Sequence, residues 1–149
     1  LVTSIGVIEH TDDPKFHFNK LYESTSLNGQ LIIICPNHCN TRGIIWQTLN
    51  LLFDVPMSLV DRHVITFSDI KKWKKTNDKL KYFTIGNEVS MRKGMIIDLK
   101  KRLTNALRDA DMDNHKVDKL LDWLKNNYKH FPVNEYSGWL SVFVISKTS

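Results

Sequence analysis

The run Leu31-Ile32-Ile33-Ile34-Cys35, closed by Pro36-Asn37, constrains this chain more than any other feature. It is continuously apolar, whereas a strand with one wet face alternates, so it reads as a strand covered on both faces. A second such run, Leu1-Val2-Thr3-Ser4-Ile5-Gly6-Val7-Ile8, opens the sequence. Between them Asp13 and Pro14 stand as a helix cap and a first helical residue, because proline's missing N–H needs no partner there. Phe18, Leu21, Tyr22 and Thr25 recur at helical spacing, and Leu27-Asn28-Gly29 supplies a stop, so a helix is expected over residues 14–26. Strand, helix and strand in that order form a right-handed βαβ unit in a parallel sheet.

Beyond this unit, residues 42–53 carry Ile44, Ile45, Thr48, Leu49 and Leu52 on one side and read as a helix or lid ended by Pro56. Residues 62–67 read as a short strand or extended loop, with Ser68 capping a helix that carries Ile70 and Trp73. A strand over 81–86, helices over 95–108 and 116–128, and a final strand over 139–146 complete the reading. The expected architecture is α/β: a Rossmann-like three-layer sandwich, its sheet mostly parallel with an antiparallel C-terminal strand. A length of 149 residues with 42% hydrophobic and 25% charged composition suits one domain, 1–149, with a lid or substrate segment about 40–62. No apolar stretch reaches the ~20 residues of a membrane span. Two cysteines give no disulfide framework and no secretory signal is legible, which points to the cytoplasm.

In parallel sheets, chemistry collects at the carboxyl ends of the strands. Those ends are Glu9-His10 and Cys35-Pro36-Asn37-His38. A carboxylate beside an imidazole suits general acid–base work or a divalent cation. Cys35-Pro36-Asn37-His38-Cys39 is a single cluster where structural zinc needs two separated ligand pairs, so Cys35 reads as a small buried hydrophobe. His63 reads as a surface residue. Trp46 and Phe53 read as packing, or as pocket lining if their helix is a lid. The net charge of +5 is partly concentrated in Lys71, Lys72, Lys74 and Lys75 and in Arg92, Lys93, Lys100, Lys101 and Arg102. These are expected to be solvated helix faces; a phosphate backbone would also fit them.

The stretch Ile5-Gly6-Val7-Ile8-Glu9-His10-Thr11-Asp12-Asp13-Pro14, followed by Leu27-Asn28-Gly29-Gln30-Leu31-Ile32-Ile33-Ile34-Cys35-Pro36-Asn37, resembles the fourth strand, next helix and fifth strand of class I S-adenosylmethionine-dependent methyltransferases. The match covers about the first forty residues. The resemblance implies S-adenosyl-L-methionine as cosubstrate and methyl transfer to an acceptor, with a small molecule favoured over nucleic acid. It places Ser4, Ile5 and Gly6 along the cosubstrate, Ile5 near its adenosyl or methionyl portion, and Glu9 and His10 toward the acceptor. Two branches, the ubiquinone-biosynthesis O-methyltransferases and the terminal-ribose methyltransferases of small RNAs, bind a divalent metal through Glu-x-x-Glu-His. Here Gly6 replaces the first glutamate, leaving Glu9, His10 and His63 as the candidates and no complete metal site.

The family's glycine-rich loop and ribose-binding acid have no counterpart: the six glycines form no G-x-G. The resemblance therefore implies missing N-terminal strands, supplied by an upstream segment or a second chain, since a bare fourth strand exposes an unpaired edge. The rival readings are a degenerate methyltransferase-like binding or scaffolding module and an RNA-directed methyltransferase.

Overall fold

The computed structural model describes residues 1–55, 62–86 and 93–148, with side chains of the fourth helix described from Ile96 onward. Four strands, β1 (Val2–Ile5), β2 (Gln30–Pro36), β3 (Lys79–Ile85) and β4 (Leu140–Ser146), form one sheet in the order β1-β2-β4-β3. Five α-helices accompany them among the described residues: α1 (Pro14–Ser24), α2 (Thr41–Phe53), α3 (Phe67–Trp73), α4 (Lys93–Asp109) and α5 (Val117–Asn127).

The βαβ unit forms as its sequence dictates. The Asp13 carboxylate accepts from Phe16 N at 2.9 Å, Pro14 opens α1, and β1 pairs in parallel with β2 from Val2↔Leu31 to Ile5↔Ile34. The rest of the sheet corrects the expectation of a mostly parallel arrangement. β4 lies between β2 and β3 and is antiparallel to both, so two of the three pairings are antiparallel. β1, β2 and β3 still run in one direction, and the reversed strand is the C-terminal one. The reason is placement: β4 fills the gap between β2 and β3, where every backbone group on both its edges finds a partner.

Local chemistry also moves two boundaries. The helix expected to begin at Ser68 is capped by Thr66, because only that register puts an acid at the third helical position. Asp69 N donates to Thr66 Oγ1, and the Asp69 carboxylate accepts from Thr66 N at 2.9 Å, closing a capping box. Residues 62–65 form no strand. α2 starts at an Asn40 cap whose side chain accepts from Gly43 N at 2.8 Å, and ends at Asp54 in the left-handed conformation. Pro56, the expected stop, lies outside the described residues, as does part of the expected lid.

Register puts Leu31, Ile33 and Cys35 of β2 on one face with Ile145, Phe143 and Ser141 of β4 and Leu80, Tyr82 and Thr84 of β3. Phe18 and Tyr22 of α1, Ile65 and Ile70 bury that face. A second apolar cluster joins Trp46 of α2, Leu99, Leu103 and Leu107 of α4 and Val117, Leu121 and Leu124 of α5. Among the described residues no helix is long and apolar enough to cross a membrane.

Candidate active site at the carboxyl ends of the strands

The site begins with a departure from the sheet. Gly6 N still donates to Ile34 O at 2.8 Å, one step past β1, but Gly6 adopts φ +62°, a left-handed backbone that glycine takes without strain. The chain therefore leaves the sheet and tightens into a short 3-10 turn over Ile8–His10. Ile8 and Glu9 are buried by that turn, whereas the His10 side chain keeps 34% of its surface exposed. His10 Nε2 lies 3.8 Å from Glu9 Oε1, close enough for electrostatic coupling and too far for a direct hydrogen bond. One carboxylate is thus held under the sheet's end while the neighbouring imidazole faces outward.

The segment 62–63 is fastened to this turn. Both Arg62 N and His63 N donate to Glu9 O at 3.1 Å, and Arg62 pairs with Asp12. The sequence-derived trio Glu9, His10 and His63 is therefore neighbouring in backbone. The His63 side chain lines a cleft of about 250 Å³ together with Asp13, Asp69 and Trp73. Among the described residues no group of three or more histidine, cysteine, aspartate or glutamate side chains is arranged to hold a metal ion.

Ser4, Ile5 and Gly6 divide by strand alternation. Ser4 is buried on the α1 face, where its Oγ has no hydrogen-bond partner among the described residues. Its side chain is thus closed to a ligand, and any contact would use its backbone. Ile5 points the other way and is 62% exposed. A Cβ built on Gly6 would meet only Glu9 Oε1, at 3.9 Å, so the glycine is required by backbone conformation rather than by crowding.

At the end of β2, Cys35 is buried and its thiol is pushed up to about 12, first by burial and then by the nearby Glu9 charge. It is a protonated, unreactive packing group. Cys39 is exposed, and its backbone N donates to Asn37 Oδ1 at 2.9 Å. The Asn37 and Asn40 amides both donate to Gly138 O, at 2.8 and 3.0 Å, locking the loop after β2 to the approach into β4. Thr84 completes the brace: its hydroxyl donates to Glu135 O at 2.6 Å and accepts from Gly138 N at 2.8 Å.

Phe67, Tyr82 and Tyr136 line a cleft of about 390 Å³ on the face of the sheet that carries Cys35 and Ser141. The Tyr82 hydroxyl lies 3.4 Å from Ser141 Oγ. Positions 67, 82 and 136 share no local pattern, and only the pairing of β3 with β4 brings them together.

The expected basic faces are partly occupied by the protein itself. Lys100 pairs with Asp118 at 2.7 Å, Arg102 with Asp98 at 3.0 Å, and Lys74 Nζ donates to the carbonyls of Lys75 and Thr76. Arg92 and the Lys93 side chain lie outside the described residues.

No family model and no curated protein sequence matches the chain. Among solved structures, it is similar to Haemonchus contortus phospholethanolamine N-methyltransferase 2, in a complex with phosphomonomethylethanolamine and S-adenosylhomocysteine. The identity is 13% and the TM-score 0.43, over 99% of this chain and 33% of that one. The chain thus spans about a third of that protein's length.

Proposed function

We propose that this chain forms the acceptor-side part of a class I S-adenosylmethionine-dependent methyltransferase, acting on a small molecule. The observation that carries the reading is the end of β1: a left-handed Gly6, a buried Glu9 and a half-exposed His10, on a βαβ unit whose sequence resembles that family. Cosubstrate, when bound, supplies an electrophilic methyl group. Of the residues assigned to it, Ile5 and Gly6 offer an open edge past β1 and Ser4 offers its backbone. These form one wall of a site whose glycine loop and ribose-binding acid this sequence does not contain.

His10 is the acceptor-side base or orienting group, and Glu9 its partner. Much of the rate in such a transfer comes from holding the acceptor in line with the methyl group, so a modest base on a well-braced turn suffices. Replacing His10 with alanine should lower turnover by roughly tenfold or more while leaving S-adenosylhomocysteine affinity within about threefold. Unchanged turnover would remove the role.

The second reading, a methyltransferase-like module that scaffolds rather than catalyses, is favoured by Gly6 in place of an acid and by the lack of any G-x-G. Isothermal titration of S-adenosylhomocysteine into the full-length protein separates the two. The enzyme should bind with a dissociation constant on the order of micromolar. No measurable heat at millimolar ligand would leave the scaffold reading.

A further inference from the structure

The cleft between the start of α3, the middle of β3 and the turn before β4 is walled by aromatic rings. Tyr82 stacks on Phe143 with centroids 5.0 Å apart and on Tyr136 at 5.7 Å, the latter with only 9° between planes. Phe67 meets Tyr82 at 5.5 Å and 48°. Phe143 is fully buried and holds the stack from below, whereas Phe67 and Tyr136 are 41% and 48% exposed, so the outer rings are open to a ligand.

Charge then narrows the class of ligand. The Glu135 carboxylate is hydrogen-bonded to the Tyr136 hydroxyl, which together with its negative charge raises the phenol above its ordinary value. Burial first, with the nearby Cys39 and Cys35 adding, raises Tyr82 despite its contact with Ser141. Both phenols are therefore neutral near pH 7, and the described lining carries no lysine or arginine. Aromatic faces carry negative quadrupole charge, and a carboxylate at the rim adds a full one. A neutral apolar ligand gains only burial here; a cation gains burial and both electrostatic contributions.

We propose that this cleft binds a small organic cation, an alkylated ammonium group, through Phe67, Tyr82 and Tyr136 with Glu135 at its rim. The cleft lies on β3, at the opposite edge of the sheet from Gly6 and His10 beyond β1, so this binding is separate from the proposed transfer site and stands whether or not that reading holds.

The test uses tetramethylammonium chloride as probe and tert-butanol as its neutral counterpart of similar shape, each titrated into the protein and followed by amide NMR shifts, with sodium chloride matching ionic strength. Tetramethylammonium should give saturable shifts around residues 67, 82 and 134–137, with tert-butanol roughly tenfold weaker or more. Tyr136→Ala should weaken the probe roughly fivefold and Tyr136→Phe should retain it, with Glu135→Gln intermediate. The amide spectrum of each variant reports whether it is folded. Absence of saturable shifts, or equal affinity for tert-butanol, overturns the proposal. The probe requires no S-adenosyl ligand: binding of tetramethylammonium without S-adenosylhomocysteine supports the cleft and rejects methyl transfer, and the reverse rejects the cleft alone.

Discussion

Phe143→Ala is expected to lower the free energy of unfolding by about 3–5 kcal/mol, a large fraction of the roughly 5–15 kcal/mol that holds a domain of this size together. Phe143 is fully buried at the middle of β4, the strand paired on both edges. It stands in register with Ile33 of β2 on one side and Tyr82 of β3 on the other. Truncation removes its apolar burial and leaves a cavity whose walls are strands, which collapse inward less readily than loops. Urea unfolding should show a lower midpoint with an unchanged slope, and Phe143→Leu, which refills most of the volume, should cost under half as much. A loss below about 1.5 kcal/mol for the alanine variant would mean that the ring is not at the centre of the sheet's packing. The same variant removes the support beneath Tyr82, so the aromatic cleft should lose its affinity for an organic cation even in the molecules that remain folded.

This coupling of core to cleft shows which parts of the protein the sequence makes legible. The unit from Val2 to Pro36 could be read directly because each of its signals is local. Apolar continuity marks the two strands, Asp13-Pro14 marks the start of α1, and Glu9-His10 closes the first apolar run, although the strand itself stops at Ile5 and Gly6-Val7-Ile8 intervene. The burial of Glu9 was not legible, because it depends on Gly6 adopting a left-handed backbone and on residues 62–63 folding back to bond its carbonyl. Thr66-Phe67-Ser68-Asp69 did carry its own signal. Two hydroxyl residues separated by Phe67, namely Thr66 and Ser68, compete to cap α3, and the acid three positions after Thr66 decides between them.

The position of β4 is a different matter. Residues 140–146 are apolar enough to pair anywhere, and nothing in them states that they lie between β2 and β3 rather than at an edge. That choice is made by long-range partners: the Asn37 and Asn40 amides on Gly138 O, and the Thr84 hydroxyl bridging Glu135 and Gly138. Three polar side chains, two from the loop after β2 and one from β3, thereby fasten the approach to β4 beside both its neighbours, and with it the aromatic cleft. Its rings come from positions 67, 82 and 136, too far apart in sequence for any periodicity to connect.

Asp78→Ala should have the other large effect, about 1–3 kcal/mol, from leaving the buried Tyr22 hydroxyl and two part-buried backbone N–H groups without their acceptor. The Asp78 carboxylate is 5% exposed and accepts from Tyr22 OH at 2.7 Å, Thr148 N at 3.0 Å and Lys75 N at 3.2 Å, tying α1, the turn before β3 and the residues after β4 together. Burial alone would raise its pKa. The Tyr22 hydrogen bond, the two backbone N–H groups and the Lys74 charge outweigh it, and the net shift is downward. A depressed carboxylate contributes stability above the ordinary value of about 4 and loses it as pH falls through the folded value. Tyr22 has the opposite sign. Burial, then the Asp78 hydrogen bond and charge, raise the phenol to about 12, so its contribution is complete below the ordinary value near 10 and disappears as pH climbs toward 12. The wild-type protein should therefore lose stability at both limits, and urea titrations at pH 7, 3 and 11 can measure it. In Asp78→Ala the acid limb should flatten, because the group that titrates there is gone, and the gap from wild type should be narrower at pH 3 than at pH 7. An equal gap at both values would mean that the Asp78 carboxylate is not the charged form the three donors hold.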